Sequence, residues 1–293
     1  MNQYTIGQLN IAWKNGSVSI PEDDFSTLFR SENNIIAADV ILEGRDMDLS
    51  WFDDSHCLTK TGGYELLRTQ RGLFLMNHWG ACRYGYGIWV DELFESNVLP
   101  VYFSQEFSRQ VPLHMTRFLS TIGLHSKFLQ RNAPVLHASY IDFKGKAILF
   151  TAPAQTGKST QARLWETFAG AEIINGDRVL LSKQGNTWLA HGYPCCGSST
   201  ICVNRTLPVA AIVVLTQAPN NSVQLMKPSE KIISLVSATE VYPWENREIS
   251  LSFDTAQQIA QQVPVVRLAC RPDEDAVNVL KAYLEDQNYV DCF

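Results

Sequence analysis

Apolar and polar positions alternate from Gln3 to Lys14, the period of a half-buried strand. Asn15-Gly16 is a two-residue turn signal, so the chain start predicts a hairpin continuing into Ser17–Ile20. Ala37–Leu42, Tyr64–Thr69, Leu73–Asn77, Tyr84–Val90 and Leu99–Phe103 read as further strands. Trp51, Phe52, Trp79, Tyr84, Tyr86 and Trp89 crowd this stretch. They are expected to pack a small sheet; an aromatic face that binds peptide is the alternative. The period then changes. Phe107, Val111, Met115, Phe118, Leu119, Ile122 and Phe128 recur at helical spacing between Glu106 and Arg131, predicting one helix or two.

A second change comes near Val135. Ser139–Phe143 and Lys146–Thr151 predict a hairpin around Lys144-Gly145, and a helix with Leu164, Trp165 and Phe168 inward follows. Ala171–Ile174, Val179–Ser182, Thr187–Ala190, Ala210–Leu215 and Val265–Ala269 read as strands. Pro228 opens a helix to about Val236. Asp254 is expected to cap another, to about Gln262, and Asp273–Asp286 is the last. This pattern predicts an α/β protein in three parts: a β-rich N-terminal domain over 1–105 with a candidate substrate-binding role, a helical connector over 106–131, and an α/β domain over 132–293.

Composition narrows the classes. The chain has 293 residues, 45% hydrophobic and 18% charged, enough for a full core. A net charge of −6 gives no support for a nucleic-acid surface, although it leaves room for a local basic patch. No apolar run reaches the length of a membrane span, and no basic-then-apolar leader opens the chain. Seven cysteines at irregular spacing suggest reduced thiols and a cytoplasmic setting.

The chemistry concentrates in Lys146–Thr160: an apolar strand, a small-residue turn, then Gly157-Lys158-Ser159-Thr160 opening a helix. Amides at a helix start point at an anion, and the helix dipole favours negative charge there. The spacing is a relaxed Walker A pattern with Ala152 in place of the first glycine. Ala152, Pro153, Ala154, Gln155, Thr156, Gly157, Lys158, Ser159 and Thr160 are therefore candidate nucleotide-binding residues. Lys158 can reach the β- and γ-phosphates, and the Ser159 hydroxyl can bind Mg²⁺. Gln155 carries a strain cost if its φ is positive. The plain alternative is an ordinary strand–turn–helix with a surface lysine.

Asp177 is the candidate second metal ligand, in a turn just past a strand. His137 can accept a proton from a hydroxyl or lend charge to phosphate. As structural residues, Asp177 would be a turn former in Asn-Gly-Asp and His137 a surface or core histidine. His191-Gly192 opens a small-residue loop through Ser199 that can wall a substrate site. Cys195-Cys196 has no second Cys/His pair at zinc spacing. Arg178 and Arg205 are expected on a solvated face, although either can neutralise phosphoryl charge.

Taken together, Val135-Leu136-His137, the hairpin, Ala152–Thr160, the segment Ile174–Arg178 and His191-Gly192 resemble the catalytic domain of HPr kinase/phosphorylase, above all the short HPr-kinase-like proteins of bacterial peptide-modification clusters. The resemblance spans residues 130–285, and residues 1–105 do not resemble the N-terminal domain of the longer enzyme. It implies a P-loop α/β domain related to phosphoenolpyruvate carboxykinase, with a mixed, strongly twisted sheet. It implies ATP- and Mg²⁺-dependent phosphorylation of a serine hydroxyl on a protein or peptide. It places the P-loop on Ala152–Thr160, the family histidine on His137 and the family's aspartate pair on Gly176 and Asp177, so one carboxylate is missing. An acidic residue expected before the later glycine is also absent, where Leu189 and Ala190 stand. Catalytic roles are thus expected for His137, Lys158 and Asp177, and metal binding for Ser159 and Asp177, with His137 or Asp177 as base. The expected activity is a kinase acting on Ser or Thr of a peptide or protein. The alternatives are a kinase for a free amino acid and a nucleotide-binding module without catalysis. The family enzyme is hexameric, which leaves homo-oligomerisation open here.

Overall fold

The computed structural model describes residues 1–16, 18–31, 37–61, 63–78, 82–110 and 113–290. The expectations at Ser17, Trp79, Val111 and Cys292 lie outside these residues. The chain is a mixed α/β protein that divides into two compact units, Met1–Lys127 and Phe128–Phe293.

The first unit holds β1 (Asn2–Ile6), β2 (Leu9–Lys14), α1 (Asp24–Thr27), β3 (Val40–Asp46), β4 (His56–Lys60), β5 (Tyr64–Arg68), β6 (Leu73–Asn77), β7 (Tyr86–Trp89), α2 (Val90–Glu95), β8 (Val98–Phe103), α3 (Gln105–Gln110) and α4 (Met115–Thr121). Its eight strands form one sheet in the order β1-β2-β3-β8-β7-β6-β5-β4. The expected hairpin of Gln3–Lys14 with Ser17–Ile20 does not form; Gln3–Lys14 itself folds back as β1 and β2 at Gly7, whose φ of 58° suits a tight turn. Asn15-Gly16 is not that turn. β2 pairs parallel to β3, which requires a crossover rather than a reversal. Gly16 instead lies against β3, where a Cβ would stand 1.8 Å from the Gly44 carbonyl oxygen. Trp51, Phe52, Phe74, Tyr84, Trp89 and Tyr102 pack together with Met47, Leu67 and Met76. The Arg71 guanidinium covers the Trp89 ring at 4.4 Å. The expected helical stretch is three short helices rather than one or two: α3, α4 and α5 (Leu124–Leu129). Gly123, at φ 83°, separates the last two.

The second unit contains β9 (Val135–Phe143), β10 (Lys146–Thr151), α6 (Lys158–Ala169), β11 (Glu172–Asn175), β12 (Arg178–Gln184), β13 (Thr187–His191), β14 (Thr206–Gln217), β15 (Ser222–Leu225), α7 (Pro228–Ala238), α8 (Asn246–Gln262), β16 (Val265–Cys270) and α9 (Glu274–Asp286). The sheet runs β10-β9-β12-β13-β14-β16-β15, with β11 also on β9. β9 and β14 are long enough to serve three neighbours each: β10, β11 and β12 on β9, and β10, β13 and β16 on β14. The path β10–β9–β12–β13–β14 therefore returns to β10, which pairs parallel with β14. Alternate β10 side chains point to opposite faces. Ile148 and Phe150 join Trp165 of α6 and Leu280 of α9, whereas Ala147 and Leu149 join Leu235 of α7 and Ile259 of α8. Helices thus cover both faces. Trp165 is fully buried, but Phe168, expected inward, is 47% exposed because it lies on the outer side of α6. Asp254 does not cap α8; it falls mid-helix, and Glu245 caps the helix by accepting from the Arg247 amide.

Candidate active site

β10 delivers the chain to the turn Ala152–Gly157 and α6 takes it away. Thr151 Oγ1 donates to the His137 carbonyl at 3.1 Å, tying the end of β10 to the start of β9. Gln155 has φ 62°, so the turn does demand the left-handed conformation at a non-glycine residue. Gly157, at φ 117°, is the α6 N-cap, and no side-chain hydrogen bond caps the helix. The first-turn amides therefore have no intrahelical or capping partner and point outward. Lys158 is 8% exposed, and its ammonium curls back to donate to the Ala152 carbonyl (3.0 Å) and the Pro153 carbonyl (3.4 Å). Burial pushes its pKa down, and nearby Asp177 works against that shift. Pro153, Ala154, Gln155, Ser159 and Thr160 are exposed along the loop and first turn, with Ala152, Thr156 and Gly157 half-buried.

Asp177 follows β11 directly. Asn175, fully buried, builds the turn: its Oδ1 accepts from the Asp177 and Arg178 amides, and its Nδ2 donates to the Tyr193 and Cys195 carbonyls. The Ser159 hydroxyl donates to the Gly176 carbonyl at 3.4 Å, which brings the loop's hydroxyl beside the aspartate's peptide. His137 Nε2 lies 3.1 Å from Asp177 Oδ1, and Arg178 Nη1 lies 3.1 Å from Asp177 Oδ2. Burial would raise the Asp177 pKa. The His137 hydrogen bond and the positive charges of Arg178, His137 and Lys158 outweigh it and hold the carboxyl below its ordinary range.

Arg178 differs from expectation. Arg178 is not on a solvated face; its Nε pairs with Glu240 at 2.9 Å and its Nη1 also reaches Cys195 Sγ at 2.6 Å. Burial alone would lower its pKa, but Glu240, Cys195 and Asp177 more than compensate. Arg205 pairs with Asp142 and Glu172 while staying partly solvated, as expected. His191 does not wall a site. It is buried within the sheet between Ser182 (2.7 Å) and Thr206 (2.8 Å), and burial pushes its pKa down to about 4. The loop after it does approach Asp177: a Cβ on Gly197 would stand 2.7 Å from Asp177 Cγ. Cys195 and Ser199 belong to the loop expected to wall a site, although their contacts with Arg178 and Gly176 were not foreseen, and Glu240 was not expected here at all. These contacts join distant positions through the closed sheet, and nothing local in the sequence marks them.

Gly176 has no room for a side chain in this structure. A Cβ there would stand 2.3 Å from Ser199 Cβ and 2.5 Å from Ser199 Oγ. The Gly197–Ser199 turn fills the space an aspartate would need.

The donor set was tested for Mg²⁺. Among the described residues no group of three or more His, Cys, Asp or Glu side chains can hold a metal ion. The chain offers the Asp177 carboxylate and the Ser159 hydroxyl. Mg²⁺ is commonly held by one or two carboxylates completed by substrate phosphates and water. These two groups fit a metal that arrives with a nucleotide, not one bound by protein alone.

The loop separates two clefts. One, of about 410 Å³, is lined by Gln155, Thr156 and Gly157 together with Gln217 and Cys270–Pro272 at the ends of β14 and β16. The other, of about 470 Å³, is lined by Ala152–Ala154 together with His137, Val214 and the α7 residues Ile233, Ser234, Ser237 and Ala238. Both lie at the carboxyl ends of the parallel strands, where α/β sheets bind ligands.

The chain is thus a mixed α/β protein with a strand–turn–helix loop beside a His–Asp–Arg cluster. Residues 105–273, more than half of the chain, match the family described as SynChlorMet cassette protein ScmC, and the chain belongs to that family. Among solved structures it is similar to the Hpr(Ser) kinase/phosphatase from Coxiella burnetii, at 11% identity and a TM-score of 0.31, covering 53% of this chain and 98% of that one. No curated protein matches the chain. No helix among the described residues is long and apolar enough to cross a membrane.

Proposed function

We propose that the second unit is an ATP- and Mg²⁺-dependent phosphotransferase that moves the γ-phosphoryl group to a hydroxyl, Ser or Thr on a peptide or protein. The observation that carries this reading is the convergence of an uncapped α6 N-terminus, Lys158 and the His137–Asp177 pair around one loop. The loop amides and Lys158 hold phosphate oxygens, a role that needs Lys158 to exchange its two carbonyl partners for phosphate. Ser159 and Asp177 hold Mg²⁺, which supplies charge neutralisation on the phosphates when bound. Phosphoryl transfer asks mainly for positioning and electrostatics, so one carboxylate and one histidine are a sufficient set. Asp177 orients the His137 imidazole through the 3.1 Å contact, and the exposed face of His137 is free to meet the acceptor hydroxyl. The motif resemblance to HPr-kinase-like proteins of peptide-modification clusters supports the same class of reaction.

The test is transfer from γ-labelled ATP with candidate acceptors. Lys158→Ala is expected to lower transfer about 10²-fold or more, as loss of a phosphate-stabilising donor does. Asp177→Asn is expected to lower it about 10²–10⁴-fold. Full activity in either variant removes that residue from the mechanism. A second reading, nucleotide binding without catalysis, is favoured by one fact: both Asp177 oxygens are already engaged, by His137 and Arg178. Tight ATP binding with neither transfer nor phosphate release would select it.

A further inference from the structure

The two clefts divided by the loop differ in chemistry. The Gly157 side meets the first turn of α6, Gln217 and the cation Arg271. The Pro153 side meets Val214, Ile233, Ser234 and Ser237, and His137 is its one titratable lining residue among the described residues. Phosphoryl transfer requires the attacking and leaving oxygens roughly in line across phosphorus. A nucleotide whose phosphates lie on the loop amides and whose remainder extends past Thr160 and Arg271 leaves one approach, from the Pro153 side. That approach passes His137, whose side chain is 47% exposed and whose Nε2 is already oriented by Asp177.

We infer that the cleft between His137, Pro153 and the α7 face Ile233–Ser237 is the acceptor subsite, and that it takes a hydroxyl carried on an uncharged, largely apolar peptide segment. This rests on the phosphotransferase reading above. Three observations fix the class of acceptor. Ile233 is 60% exposed on the cleft wall, an apolar side chain without a core role. Val214 and Ala238 continue the apolar lining, and Ser234 and Ser237 add uncharged groups suited to a peptide backbone. Finally, among the described residues the lining offers neither a carboxylate nor a lysine or arginine. A free amino acid would leave its ammonium without a carboxylate partner there, and an acidic segment would meet no lysine or arginine side chain among the described lining residues, the Lys158 ammonium being turned onto the Ala152 and Pro153 carbonyls.

The reaction is balanced as a displacement. The acceptor oxygen forms a bond to the γ-phosphorus, the bond from that phosphorus to the β,γ-bridging oxygen breaks, ADP leaves with the bridging electrons, and the hydroxyl proton passes to the base at His137.

Three acceptors are compared with γ-labelled ATP: acetyl-Leu-Ala-Ser-Leu-Ala-amide, acetyl-Glu-Asp-Ser-Glu-Asp-amide and free L-serine. ATP affinity is measured in parallel by titration calorimetry. The apolar peptide is expected to have the highest kcat/KM by about tenfold or more. Ile233→Gln should lower its kcat/KM about tenfold through KM, leave ATP affinity unchanged, and be rescued by Ile233→Leu. The exposed position of Ile233 makes misfolding an unsuitable explanation for a loss. Preference for the acidic peptide or free serine overturns the inference, as does transfer indifferent to Ile233→Gln; ATP binding with no transfer to any of the three and no phosphate release selects the non-catalytic reading instead and takes the inference down with it. Absence of ATP binding sinks the phosphotransferase reading itself, a different result from those.

Discussion

Replacing Gly176 by Ala is expected to destabilise the second unit, for a reason visible only in three dimensions. The backbone there is outside the left-handed region, so alanine meets no conformational penalty. The cost is steric. The new methyl would stand 2.3 Å from Ser199 Cβ, and no rotation of the serine side chain moves a Cβ. Nor can Gly176 easily withdraw, because its carbonyl accepts from buried Ser139 Oγ at 2.9 Å and from Ser159 Oγ. The Gly197–Ser199 turn must shift instead, straining the Ser199 Oγ bond to the Cys196 carbonyl. Overpacking of this kind costs about 1–3 kcal/mol. With a urea slope of about 2 kcal/mol per molar, the unfolding midpoint should fall by about 0.5–1.5 M. The decisive measurement is the double-mutant cycle. Ser199→Gly removes the obstructing carbon, so Gly176→Ala should cost almost nothing in that background, a coupling of about 1–3 kcal/mol. Additive effects, or a Gly176→Ala midpoint equal to wild type, would refute the argument. If the cycle couples, Gly176→Asp with Ser199→Gly becomes the natural route to restoring the second carboxylate and asking whether transfer accelerates.

Other outcomes follow from the same coordinates. Burial holds His191 neutral down to about pH 4, whereas an exposed histidine titrates near 6.5. Between these values the unfolded chain binds the proton and the native one does not, so stability falls as pH drops from about 6.5 to about 4, by about 3 kcal/mol in all. His191→Gln should flatten that part of a plot of urea midpoint against pH; an unchanged slope would contradict the assignment. Trp165→Ala, at a fully buried ring packed on Phe143 and Phe150, should cost about 3–5 kcal/mol in the same unfolding assay. Phe168→Ala, three residues on and half exposed, should change stability by no more than about 0.5 kcal/mol.

Much of the local architecture was legible. The run Lys146–Thr151 is apolar because both faces of β10 are covered by helices, and the small-residue turn before Gly157 is read from composition alone. Even the strained residue was identifiable, since Gln155 stands where a glycine would be free to take a positive φ. Boundaries failed where a local signal competed with a distant partner. Asn15-Gly16 is a good turn dipeptide, but the parallel pairing of β2 with β3 sends the chain elsewhere. Edge strands β4 and β15 escaped notice because their residues are mostly exposed and lack a strong apolar period.

Residue order alone determined the strand–turn–helix cradle, its lysine and hydroxyl, and the candidacy of His137 and Asp177, because those features depend on short-range spacing and backbone conformation. Tertiary structure decided the electrostatics and the shape of the site. Glu240, Arg178, Asp177 and His137 form a continuous chain of charged contacts only because β9, β11, β12 and the end of α7 meet there. Ser199 occupies the position beside Gly176 only because its turn returns across β11. Such contacts join residues tens of positions apart, and a pattern read over a few neighbours carries no record of them.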